Sequence, residues 1–169
     1  MVKVKIEGCG NRWYIDDFIA KAGYASDLPF EWLESIRFSL KNFLPLCLYI
    51  DEYSTNVWIL SDEDTFVIDD RDWLKHSQHD FEYHHRVFKI ERLDFIHTIL
   101  PQLEEFIPHL ARWDYDPDRT FTPQKAKSRE EELHKLFEEC RKLLEESLNR
   151  RRVPGNKIKL DEHWKICKF

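Results

Sequence analysis

The chain has 169 residues, enough for one domain that hides about 70% of its unfolded surface. Apolar residues make up 42%, charged residues 34% and aromatics 14% of it, which excludes a disordered tract. The formal net charge is −6, and no run approaches the roughly 20 apolar residues that a membrane span requires.

That charge is unevenly spread. Residues 51–118 hold seventeen acids against six bases, and residues 119–169 hold nine acids against fourteen bases. Such asymmetry bears on partners and association rates, not on fold. Met1 to Glu7 alternates apolar and charged residues and contains no signal-peptide block. Cys9, Cys47, Cys140 and Cys167 lie far apart and form no CxxC pair. This pattern predicts reduced thiols and a cytoplasmic location.

Val2, Val4 and Ile6 alternate with Lys3 and Lys5, the period of a half-buried strand. The turn-like Gly8 to Asn11 leads to Arg12-Trp13-Tyr14-Ile15, so a hairpin is expected. Leu33, Ile36, Leu40, Phe43 and Leu44 recur at helical spacing. They predict a helix over 29–44, with Pro29 in its first turn and Pro45 beyond its end. Three β-rich runs follow at 46–50, 57–60 and 65–68, with polar separators that predict an antiparallel meander. A short helix is expected over 69–78 and a fourth strand within 83–90.

An apolar stripe from Leu93 to Leu110 predicts a helix that Pro101 and Pro108 kink or divide. Thr122-Pro123 then opens a long amphipathic helix to about residue 152, with Leu133, Leu136, Phe137, Cys140, Leu144 and Leu148 on its inner face. Glu131 with Lys135, Glu138 with Lys142, and Glu146 with Arg150 support its outer face. Ile158, Leu160, Trp164 and Ile166 read as closing strand pieces. The expectation is a single α+β domain over 1–169: an antiparallel sheet of about four to six strands packed by three main helices, the last one long and amphipathic. Its neutral-to-acidic core is 1–118, and the C-terminal helix and basic tail are 119–169.

No motif names a reaction. Gly8-x-Gly10 has Trp13 where a dinucleotide loop needs its third glycine. Asp72, His76 and His79, with His84 and His85 nearby, could hold a divalent ion for a hydrolase or nuclease. Their spacing matches no metalloenzyme signature, and a solvated loop is the plainer reading. Asp114, Asp116 and Asp118 fit the first ligand positions of a calcium loop, but Arg119 replaces its glycine and Lys125 its glutamate. Cys47 falls in an apolar strand, where a buried inert thiol is expected. Arg150 to Arg152 and the following lysines could meet nucleic acid, yet helix capping and an exposed edge account for them.

The preferred expectation is a non-catalytic inhibitor or immunity protein, antitoxin-like in type, that needs no cofactor. An acidic rim of Asp62, Glu63, Asp64, Asp69, Asp70, Asp114, Asp116 and Asp118 would steer a basic protein partner such as a toxin enzyme. Trp113 and Tyr115 would anchor it.

Overall fold

The computed structural model describes residues 4–7, 12–21, 27–52, 55–69, 85–112 and 122–150. Their class is α+β, with antiparallel strands and three main helices, the last long. The strands divide between two sheets, where the sequence suggested one.

The first sheet has the order β1–β2–β3: β1 (Val4–Glu7), β2 (Arg12–Ile15) and β3 (Phe18–Lys21). The expected hairpin is present, with Val4 opposite Ile15. The third strand had no sequence signal beyond four residues. It exists because the chain reverses tightly at Asp16, whose φ of 51° is a left-handed conformation that Asp tolerates. Trp13, Ile15, Phe18 and Ala20 alternate inward.

After α1 (Leu28–Asn42) comes the expected meander, longer than its apolar runs: β4 (Leu46–Glu52), β5 (Thr55–Ser61), β6 (Thr65–Asp69) and β7 (His85–Phe88), in that order. Asp69, expected to open a helix, is the last residue of β6. One face of this sheet sends Leu46, Leu48, Ile50, Val57, Ile59 and Val67 into the main core. The other gathers Leu60 and Ile68 with Cys47, Trp58 and Phe66. Two apolar faces follow from period-two alternation in strands rich in apolar residues on both parities.

The predicted break in the long stripe lies at Phe106. It separates α2 (Arg92–Glu105) from α3 (Ile107–Leu110), and Pro108 sits in the first turn of α3 while Pro101 stays within α2. Finally α4 (Pro123–Asn149) begins at Thr122, whose hydroxyl accepts from the Lys125 amide. Buried residues of α1, α2, α3 and α4 join both sheets in one apolar cluster running from Trp13 to Leu144. The hairpin-loop glycines, the strand pieces after 157 and most of the 69–78 segment lie outside the described residues.

Candidate functional site

The β5–β6 connection carries Asp62, Glu63 and Asp64, three of the acids expected in the rim. Its base is a buried pair of hydroxyls. Thr65 Oγ1 donates to the Ile90 carbonyl at 2.8 Å, so Ser61 Oγ donates to Thr65 Oγ1 across 2.8 Å. The Asp62 amide reaches the Asp64 carbonyl at 3.0 Å and closes the turn.

Cations meet two of these acids. Lys89 Nζ lies 2.6 Å from the Asp64 carboxylate. Arg92, the first residue of α2, donates its amide to the Asp62 carbonyl at 2.8 Å. The Arg92 side chain is buried, and burial pulls its pKa down while the Asp62 charge opposes that shift. Glu63 is exposed.

Arg92 also reaches the end of α1. Its Nη1 donates to the Ser39 carbonyl at 3.0 Å, the Ser39 hydroxyl at 3.0 Å, and the Leu44 carbonyl. These oxygens lie at the C-terminal end of α1, which carries partial negative charge. The terminus is unusual. The amides of Phe43 and Leu44 both return to the Ser39 carbonyl, and Phe43 holds the left-handed position at φ 57°, an αL cap. Glycine is the usual residue there, because a Cβ costs roughly 1–2 kcal/mol.

The acidic turn and this helix end are neighbours by strand register too. Leu46 pairs with Ser61, so the residues entering β4 lie beside those leaving β5. Phe43 and Phe38 are 60% and 57% exposed. The acidic turn and Phe43, which precedes β4, thus lie at one end of the four-stranded sheet.

Asp69 is at the other end. It closes β6 and pairs with Val57, near Asp51 and Glu52. At about 3.3 Å per residue, the length of β6 separates it from Thr65 by roughly 13 Å. The structure therefore does not bring Asp69 to Asp62, Glu63 and Asp64. Asp70, Trp113, Asp114, Tyr115, Asp116 and Asp118 lie outside the described residues, as do Asp72, His76, His79 and His84 and the basic tail beyond Arg150. His85 stands opposite Ile68 on β7. Among the described residues no three His, Cys, Asp or Glu side chains gather as metal ligands.

The cysteines require a correction. Cys140 is free and buried, and desolvation pushes its thiol up to about 12. Cys47, by contrast, is disulfide-bonded. Widely spaced cysteines can meet in the fold, so sequence separation does not establish that they are reduced.

No family model, curated protein or solved structure matches this chain. No described helix is long and apolar enough to cross a membrane.

Sequence reading missed Arg92 and the role of Phe43. Arg92 opens an amphipathic stripe as any solvated arginine would. Phe43 left no trace, because Asn42 beside it is the residue that a sequence reading would put in the left-handed position.

Proposed function

We propose that this protein is a non-catalytic binding protein of the inhibitor or immunity type, which sequesters a basic protein partner such as a toxin enzyme. The observation that carries this reading is the β5–β6 turn, which groups Asp62, Glu63 and Asp64 at one sheet end, with the exposed Phe43 preceding the neighbouring strand β4. Charge of one sign in a patch attracts an oppositely charged partner during encounter and accelerates association about 10- to 10³-fold. Acids also outnumber bases over 51–118 of the sequence.

The test is purification of the tagged protein from its source cells, followed by rate measurements on the partner it captures. A basic partner should bind in 1:1 ratio and associate more slowly as salt rises. Asp62→Asn, Glu63→Gln and Asp64→Asn together should slow association and leave dissociation nearly unchanged. A partner whose association ignores both salt and the triple variant would remove this reading.

A cytoplasmic setting belongs to the proposal, and the disulfide at Cys47 counts against it. Alkylation of freshly lysed source cells should find all four cysteines reduced if the setting is cytoplasmic. A protected pair would place the protein in an oxidising compartment.

A further inference from the structure

We propose that residues 151–169 dock as a strap on the face of the four-stranded sheet turned away from the helices, latched there by a disulfide between Cys47 and Cys167.

This outer face is covered. Leu60 is wholly buried and Ile68 is 4% exposed, yet among the described residues only strand side chains, those of Cys47, Trp58 and Phe66, join their cluster. Neighbours on one sheet face shield each other's flanks and leave the tips to solvent. The buried residues of the four helices belong to the main core on the opposite face. Val87 stands opposite Phe66 on the outer face and is 44% exposed. The cover therefore lies over β4, β5 and β6 and stops short of β7.

Cys47 is on the covered side. It is half-buried on the edge strand β4, opposite Leu60, and it is disulfide-bonded. Of the other three cysteines in the chain, Cys140 is free, which leaves Cys9 and Cys167. Cys9 follows the end of β1 by two residues. In the first sheet β1 is two strands away from β3, the strand that meets β4. That separation is roughly 10 Å, with the β4 edge still to be rounded, and two residues span at most about 7 Å.

Cys167 has both the reach and the right origin. Helices α1 and α4 run in the same direction: Asp27 pairs with Arg129 at 2.7 Å, the Leu33 carbonyl accepts from Cys140 Sγ at 3.4 Å, and Arg37 meets Glu139 at 3.4 Å. Past Arg37, α1 continues for about 8 Å, and past Glu139, α4 continues for about 15 Å. The chain thus leaves α4 beyond the C-terminal end of α1, the end from which it enters β4 at Leu46 and Cys47. Pro154-Gly155 suits a reversal, and the seventeen residues from Arg150 to Cys167 reach up to about 55 Å. Ile158, Leu160, Trp164 and Ile166 supply apolar side chains for the Trp58, Leu60 and Phe66 surface.

Closing the latch consumes a small-molecule disulfide such as oxidised glutathione. One cysteine thiolate attacks it and releases one thiol, and the second thiolate then displaces the other. Two cysteines are oxidised and one disulfide is reduced to two thiols. Reduction reverses both steps and frees the strap to leave an apolar sheet face.

The test equilibrates the full chain in glutathione redox buffers, quenches it with acid, alkylates it in denaturant and maps the peptides without reduction. Cys47 and Cys167 should appear as one linked pair, with Cys9 and Cys140 alkylated. Trypsin should cut after Lys157 at least tenfold more slowly in the oxidised protein than in the reduced protein or in Cys167→Ser. Trp164→Ser keeps both cysteines and should need a several-fold more oxidising glutathione ratio to half-form the bond, because docking raises the effective concentration of the two thiols. A Cys47–Cys9 pair, or no pair in excess oxidised glutathione, would overturn the latch. A Cys47–Cys167 pair with an unchanged midpoint in Trp164→Ser and equal trypsin rates would overturn the docked strap.

Discussion

Arg129 on α4 grips Asp27, the residue that begins α1, through two bonds of 2.8 and 2.7 Å. Its Nε also donates to the Ala111 carbonyl at 3.2 Å, and its guanidinium lies 4.8 Å from the centre of the Phe30 ring. One planar fork therefore joins α4, the start of α1 and the end of α3. The pair is partly buried, which reduces the solvent screening that makes most surface ion pairs weak. Lysine cannot reproduce a fork that binds two oxygens in parallel while stacking on a ring. Arg129→Lys should therefore lower the unfolding free energy by about 1–2 kcal/mol, and Arg129→Met by somewhat more. Urea unfolding checks both, and equal stability of Arg129→Lys and wild type would show that the fork geometry contributes nothing.

Most of the fold was legible because its elements are amphipathic at strong periods. Leu33, Ile36 and Leu40 mark α1, and Leu133, Leu136, Phe137 and Cys140 mark α4, because each helix buries a single stripe. The strand β3 was not legible, since Phe18, Ile19, Ala20 and Lys21 are too few to display a period. The division into two sheets was hidden for another reason: pairing is decided by packing between distant segments, which local alternation does not encode. The acids of the candidate site were visible as residues. The expected strand at 65–68 already separates Asp62 from Asp69, and β6 bears this out, whereas the placing of the turn beside the end of α1 needed the fold.

Cys140 supplies a pH prediction. Its thiol is raised from 9.0 to about 12, first by burial and then by the charge of Glu139. A raised folded value leaves stability untouched below pH 9, where the unfolded chain also keeps the proton. Above pH 9 the unfolded thiol ionises and the folded one does not, so stability falls until about pH 12. At about 1.4 kcal/mol per unit, this group alone would remove roughly 4 kcal/mol over that range. Cys140→Ala should be less stable at neutral pH because it opens a cavity. It should also lose less stability than wild type between pH 9 and 11. Parallel slopes in thermal unfolding would refute the assignment, and rapid reaction of the native Cys140 thiol at pH 8 would refute its burial.

Trp13 and Trp32 join the two sheets through α1. Their rings meet edge to face, with centroids 5.1 Å apart and planes at 73°. The Trp32 indole N–H donates to the Tyr49 carbonyl at 2.7 Å, whereas the buried Trp13 indole nitrogen has no hydrogen-bond acceptor among the described residues. Trp32→Phe therefore strips a carbonyl of its partner as well as removing packing. Trp13→Phe removes packing and relieves an unsatisfied donor. Trp32→Phe should be the more destabilising by about 1 kcal/mol, and either variant should abolish the near-ultraviolet circular dichroism of the coupled rings. If the Trp13 variant proves the more harmful, its N–H has a partner in solution.

Lys89 gives a test of charge without a test of fold. It is exposed and holds Asp64 across 2.6 Å, so its removal should change stability by less than about 0.5 kcal/mol. Lys89→Gln leaves the turn more negative. On the proposed function it should therefore accelerate association with a basic partner, most clearly at low salt where the Debye length is long. Unchanged association in Lys89→Gln at low ionic strength would show that the turn takes no part in encounter.

Arg92 and Phe43 should be energetically coupled, since both act on the same carbonyls. Arg92 Nη1 bonds the Ser39 and Leu44 oxygens, and the Phe43 and Leu44 amides return to Ser39. With phenylalanine at 43 the cap is strained, and a buried cation helps to hold it closed. With glycine the cap closes without strain and depends less on that cation. Arg92→Met should cost about 1–3 kcal/mol in the wild-type background, because it removes charge-assisted hydrogen bonds to the Ser39 and Leu44 oxygens. In a Phe43→Gly background the same substitution should cost at least about 0.5 kcal/mol less, an interaction a double-mutant cycle resolves. Amide exchange at Phe43 and Leu44 gives an independent readout, and Arg92→Met should accelerate it more than exchange in the middle of α1. Additive stabilities with uniform exchange would mean that Arg92 serves the Asp62 turn alone.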